Sequence, residues 1–333
     1  MSVWVDVVAR ARGLSSGILS DRQLSEIARS RDVAELLDRL TSLDIIPGGA
    51  SAEPRTLELV VQRRAGARLR LVSRWSGARH PLLAPLFEDE DRRSIRAMLR
   101  GAAAHAPSDQ RLAGLVPTPA LPARALSELA RQGDAAAVAA LLVTWRNPYG
   151  SAILEETRLQ QPDLFRLETI LTRTWAERAR RVAPRCGRAM RVFVARVVDV
   201  ENAWTALLLA GHEGAASPAT LWVEGGTLLP RDAFVLATGS RSRREAATIL
   251  TGLLGRSPLA PAITPEPGAE GRALRAWTRE QRDIARLDPL GPAPIIALLL
   301  RSRGELLTLR RIIWGIALGA PAGRRGAEGA LVT

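Results

Sequence analysis

The sequence contains no lysine: all 47 of its basic residues are arginine, set against 34 acids for a formal net charge of +13. It has one cysteine, Cys186, which excludes an internal disulfide framework and any cysteine-based zinc site. Its three histidines, His80, His105 and His212, lie far apart, form no His-x-x-x-His pair, and are expected at the surface or in loops. Aromatic residues make up only 4%, with a single tyrosine and four phenylalanines, which argues against a β-sandwich or barrel. No apolar run reaches the ~18–20 residues needed to span a bilayer. The longest, Pro294 to Leu300, stops at Arg301, and Asp6 and Arg10 sit where a signal peptide would need its apolar core. These absences predict a reduced, cytosolic chain with no membrane span.

Catalytic signatures are also missing. A Gly-x-x-x-x-Gly-Lys loop is impossible without lysine, and neither Gly-x-Gly-x-x-Gly nor Gly-x-Ser-x-Gly occurs. No catalytic residue, cofactor or metal is expected. The surroundings of Cys186, Pro184-Arg-Cys-Gly-Arg188, are electropositive in a way that lowers a thiol pKa, but a structural or incidental role is expected. The acidic run Glu88-Asp-Glu-Asp91 could imitate a divalent-metal site; the expectation is that it precedes a helix and stabilises the positive end of its dipole.

What the sequence does have is Ala, Leu and Arg, all strong helix formers, which predict an all-α protein. Its 333 residues suffice for two or three domains. Three landmarks recur along the chain in one order. Short helices are predicted to start at Ser20, Pro122 and Pro230, separated by 102 and 108 residues. The second and third follow Gly- and Pro-rich straps, Gly114-Leu-Val-Pro117-Thr-Pro and Glu224-Gly-Gly-Thr-Leu228. Amphipathic helices are predicted around Thr56-Leu57-Glu58, Arg166-Leu167-Glu168 and Ala273-Leu274-Arg275, with breaker-rich connections over 41–56 and 257–270.

The third landmark is an acid, a small polar residue three positions on, and an apolar run closed by glycine. It reads Asp91 to Gly101 with Ser94, Asp199 to Gly211 with Asn202, and Glu305 to Gly315 with Thr308. Positions i and i+3 share a helix face, so each polar pair projects together, and the glycine suits a left-handed C-cap. The order and spacing predict three homologous helical domains over 1–115, 116–225 and 226–333. The tail after Gly319 is Gly-, Arg- and Ala-rich and is expected to fray.

This arrangement resembles the C subunit of archaeal and bacterial V-type (A-type) rotary ATPases, homologous to the d subunit of the eukaryotic V-ATPase. The opening Trp4-Val-Asp-Val-Val-Ala9-Arg10-Ala11-Arg12-Gly13-Leu14 is similar to the family's aromatic-Ala-Arg-x-Arg start, with Trp in place of the usual Tyr. The family's polar-helix motif resembles Asp199-Val-Glu-Asn202 and Glu305-Leu-Leu-Thr308-Leu-Arg310, whereas the first copy has Arg93-Ser94 where Asn is expected. Its Pro-Gly-Gly strap resembles Glu224-Gly225-Gly226, lacking the Pro, and residues 285–305 are similar to its final helix pair.

The resemblance covers essentially the whole chain. It implies three helical domains in a pseudo-threefold funnel, without an active site, peripheral on the cytoplasmic face of the membrane. Such a protein sits on the membrane rotor ring, receives the central shaft, and couples ATP hydrolysis or synthesis to proton or sodium translocation. Arg96, Arg100, Arg310 and Arg311, on the motif helices, are the candidate partner contacts, because the planar guanidinium pairs bidentately with carboxylates. The competing reading is an unrelated Arg-rich helical scaffold that binds nucleic acid or another protein. The arginines are spread along the chain rather than blocked as in a nucleic-acid arm, so no nucleic acid is expected.

Overall fold

The computed structural model describes residues 4–159, 162–212, 218–263, 268–321 and 325, and among them every regular element is a helix. The middle of the 257–270 connection and most of the tail lie outside the described residues. In chain order the helices are α1 (Val5–Ser16), α2 (Asp21–Ile27), α3 (Val33–Ser42), α4 (Pro54–Ser76) and α5 (His80–Ala103). A short α6 (Ser108–Arg111) leads to α7 (Ala123–Ala130), α8 (Ala135–Thr144), α9 (Pro148–Thr157), α10 (Leu164–Cys186) and α11 (Arg188–Leu209). After α12 (Pro218–Leu221) come α13 (Arg231–Thr238), α14 (Arg243–Leu254), α15 (Ala269–Leu287) and α16 (Ala293–Ala317). None of them is long and apolar enough to cross a membrane.

Local chemistry explains the helix starts. Ser20 caps α2 through a reciprocal box with Gln23, and Pro122 and Pro230 are the N-cap residues of α7 and α13. The helix after each is capped in the same way: Asp32, Asp134 and Ser242 accept from the amides of Glu35, Ala137 and Glu245. The breaker-rich stretch 41–56 yields only 43–53 as connection, because α3 runs through Ser42 and Pro54 opens α4, where its missing N–H is no loss.

The chain packs as two compact units. The first comprises residues 1–77, 113–117 and 270–333. In it α16 packs on α1, α2, α3 and α4, and its core holds Leu57, Val61 and Val72 of α4 with Ile296, Leu309 and Ile313 of α16. The second comprises residues 78–112 and 118–269. There α5 packs on α7, α8 and α10, while α11 packs on α10, α13 and α14. Trp175 of α10 is wholly buried and donates its Nε1 to the Pro85 carbonyl of α5, 3.0 Å away.

Candidate functional site: three buried acids and their straps

The acids of the third landmark are all buried on long helices: Asp91 on α5, Asp199 on α11 and Glu305 on α16. Each holds the strap that leads into a short helix, two by its backbone and one by a side-chain hydroxyl. Glu305 Oε1 accepts from the Leu19 amide at 2.8 Å, just ahead of α2. Asp199 accepts from Thr227, Leu228 and Leu229 at 3.1–3.2 Å, just ahead of α13. Asp91 accepts from the Thr118 hydroxyl, and that oxygen accepts from the Leu121 amide at 2.9 Å, just ahead of α7. Leu19, Leu121 and Leu229 each directly precede an N-cap residue, so the same amide is satisfied three times, twice directly and once through a hydroxyl. A strap amide buried without a partner would cost about 1–3 kcal/mol. The last acid holds the first strap, so the pattern closes on itself.

The small polar residue at i+3 behaves differently in each copy. Asn202 reads Val223 in both directions, Nδ2 to O at 2.8 Å and N to Oδ1 at 3.1 Å. Thr308 turns back to its own helix at Gly304, and Ser94 is simply buried.

The closing glycines need correction. Gly211 does follow α11 with φ +80, but Gly101 and Gly315 lie inside α5 and α16. They are small because arginines cross them: a Cβ on Gly101 would stand 2.6 Å from Arg111 Cγ, and one on Gly315 3.1 Å from Arg325 Cγ. Arg111 then donates to the Gln132 carbonyl at 2.6 Å and Arg325 to the Ser30 carbonyl at 2.7 Å. Gly211 reaches the corresponding Ser240 carbonyl with its own amide at 2.9 Å. Each short helix is thus pinned before its first turn and after its last.

The candidate partner arginines are mostly committed inside the chain. Arg96 pairs with Glu201 at 2.8 Å, and Arg310 bonds Glu58, whose other oxygen takes Trp314 Nε1 at 2.8 Å. Arg100 forks onto Glu168, with Nη2 to Oε2 at 2.7 Å, but its side chain stays 55% exposed. Arg311 is half-buried on α16.

Sequence reasoning missed the centre of this network. Arg92, fully buried, binds Asp89 at 2.6 Å, Glu201 at 2.9 Å and Thr172 at 2.9 Å, and stands 5.5 Å over the Trp175 ring. Burial alone would raise the Glu201 carboxyl; the guanidiniums of Arg92 and Arg96 outweigh it and hold that carboxyl well below the usual range. The available signal was spacing, Arg92, Arg96 and Arg100 at i, i+4 and i+8 facing Glu168, Thr172 and Trp175 of α10.

Three minor expectations resolve plainly. The acidic run Glu88–Asp91 sits inside α5, not ahead of it, because Pro81 rather than Pro85 belongs to the first turn; Glu88 pairs with Arg178 at 2.7 Å. His80 is the first residue of α5 and stacks on Phe87 at 5.0 Å instead of lying in a loop. Burial overrides the basic neighbours of Cys186 and pushes its thiol up to about 12.

The profile of the ATP synthase (C/AC39) subunit family matches residues 7–325. The C subunit of the A-type ATP synthase from two Halobacterium salinarum strains is 24% identical over 337 residues, covering 94% of this chain and 93% of each relative. The match begins at the buried face of α1 and runs to the arginine that pins α2, taking in all three acid-and-strap sites. The chain belongs to the ATP synthase (C/AC39) subunit family, as a C subunit of A/V-type ATP synthases.

Proposed function

We propose that this chain is a non-catalytic rotor adaptor, seated on the cytoplasmic face of the membrane rotor ring and receiving the central shaft, so that ATP hydrolysis or synthesis drives or follows ion translocation. The observation that carries the reading is the closed cycle of latches: three acids hold three straps, and Glu305 near the C-terminus holds the strap at Leu19. Three repeats over 1–115, 116–225 and 226–333 in a pseudo-threefold funnel are the simplest architecture in which such a cycle closes. Torque transfer demands stiffness, and buried arginine–carboxylate pairs, such as Arg92 with Asp89 and Glu201, resist shear between packed helices. The relatives' name, as the C subunit of an A-type ATP synthase, supports the same assignment.

Within this reading Arg100 and Arg311 are the partner contacts we retain, whereas Arg96 and Arg310 act as internal struts that shape the surface. The test is a pull-down of ring and shaft proteins by the purified chain across a salt series. Binding should weaken as salt screens exposed charge beyond about 8–10 Å, but persist through apolar contacts. Absence of binding to both ring and shaft at every salt, with nucleic-acid affinity falling linearly on a log–log plot against salt, would replace the adaptor with the scaffold reading.

A further inference from the structure

Within the first unit an open cavity of about 250 Å³ lies among Arg12 and Ser15 of α1, Arg282 and Arg286 of α15, and Ala297 and Arg301 of α16. No acidic side chain among the described residues lines it. Arg12 spends Nη2 on the Pro289 carbonyl at 2.8 Å, and Arg286 holds Asp283 at 2.8 Å in a pair whose side chains are 80% and 65% exposed. Arg282 and Arg301 make no hydrogen bond or ion pair among the described residues. Burial, and then the charge of Arg282, lowers the pKa of Arg301 against the pull of Glu305 and Asp21. Glu305 is already committed to Arg68 and to the Leu19 amide.

The helical architecture does not require a cation here. Four residues before the acid, α5 carries Phe87 and α11 carries Ala195, both buried, where α16 carries Arg301. Four guanidiniums around one open cavity, two of them without a hydrogen bond or ion pair among the described residues, make a region of positive potential with unused donors, which suits an anion.

We propose that this cavity binds a small phosphate-type oxyanion. Arg282 and Arg301 are the main donors, Arg12 and Arg286 stand beside them, and the Ser15 hydroxyl is a neutral donor. A tetrahedral phosphate offers acceptors to several planar forks at once, whereas a carboxylate satisfies one. The volume lies below the ~300–1,000 Å³ of pockets for drug-sized ligands, which suits phosphate or pyrophosphate. Two sources share this chemistry, free phosphate and the phosphomonoester of an anionic lipid; Leu287 and Leu290, 78% and 41% exposed on the α15–α16 turn, are placed to meet the latter. The inference is independent of the adaptor reading, since it concerns one unit and needs neither ring nor shaft.

The test uses the full-length chain. Phosphate and pyrophosphate are titrated calorimetrically at constant ionic strength, and sedimentation is run with phosphatidylcholine vesicles with and without phosphatidic acid. Saturable one-to-one binding of free phosphate, weakened about tenfold or more in Arg301→Gln and in Arg282→Gln, supports the site with a soluble ligand. Retention only by phosphatidic acid vesicles, lost in the same variants, supports it with a lipid source. Ser15→Glu, at a half-buried position on the cavity wall, supplies a built-in carboxylate and should abolish binding without lowering the melting temperature, which separates loss of the site from loss of the fold. Binding equal in the wild type and both arginine variants, or no saturable binding to any of the three probes, overturns the proposal.

Discussion

Glu305 and Asp91 hold equivalent strap amides in opposite electrostatic surroundings. Glu305 has a buried cation against it: Arg68, 5% exposed at its side chain, pairs with Oε2 and also bonds the Gly17 carbonyl at 2.8 Å, while Oε1 takes Leu19. Among the described residues Asp91 has no cation against it. It has the Thr118 hydroxyl, and Glu88 and Glu90 from its own helix add negative charge. Burial, opposed by Thr118 and reinforced by those two acids, lifts its carboxyl to about 7. The same backbone problem is therefore solved once by a buried salt bridge and once by a carboxyl that titrates near neutrality. The hydrogen-bond pattern is common to the two places, and the charge that supports it is not.

The largest effect should come from breaking the Glu305 side of that comparison. Removing Arg68 alone, as Arg68→Met, leaves a buried carboxylate with only an amide, and should cost about 3–5 kcal/mol in urea unfolding. Glu305→Leu does the reverse and strands the guanidinium. The double replacement removes both charges and should recover most of the loss, because a buried ion pair adds little net stability over apolar groups of similar volume. A double variant as unstable as the worse single one would show that the pair is needed for more than charge balance.

A smaller loss is expected at Gly226, beside the third latch. A methyl on it would overlap Asp199 Oδ1, the oxygen that accepts Leu228 and Leu229. Gly226→Ala must push the strap or the carboxylate aside, at about 1–3 kcal/mol. Amide exchange should rise first at Thr227, Leu228 and Leu229, the three donors. Uniform exchange across α11 instead would mean that the strap is not locked by Asp199.

The sequence carried the all-helical class in its composition, and the starts of α2, α7 and α13 in Ser20, Pro122 and Pro230. It also singled out Asp91, Asp199 and Glu305, because an acid inside an apolar run is visible without coordinates. The role of those acids was not visible: their partners are backbone amides and a hydroxyl 27 to 286 residues away in the chain, and an amide has no residue identity to read. Glycine misled for a related reason. Gly101 looks like a C-cap, but it makes room for the stem of Arg111, a packing requirement that local periodicity does not encode. The arginines were legible as a stripe, while their acceptors, Glu201 and Glu168, lie on other helices, so a buried strut and a partner contact read alike.

The most discriminating effect is expected at Asp91, because it changes with pH. Its folded pKa of about 7 lies above the unfolded value of 3.8, so the native state binds more protons than the unfolded chain between those limits. The contribution of Asp91 to stability is therefore complete below about pH 4 and is lost as pH rises through 7. Asp91→Asn keeps the shape and cannot ionise, so it should match the wild type near pH 4 and gain on it by about 1.4 kcal/mol per pH unit toward 7, which makes its margin roughly 2–3 kcal/mol wider at pH 8 than at pH 5. Asp199→Asn should behave differently. Burial raises the Asp199 carboxyl too, but two oxygens there accept three amides, and an asparagine with one acceptor oxygen loses at least one of them at every pH. Chemical denaturation of the wild type and both variants at pH 5, 6.5 and 8 decides the matter. If the difference between wild type and Asp91→Asn is the same at all three, Asp91 is ionised throughout, and the contrast with Glu305 dissolves into two latches of one electrostatic kind.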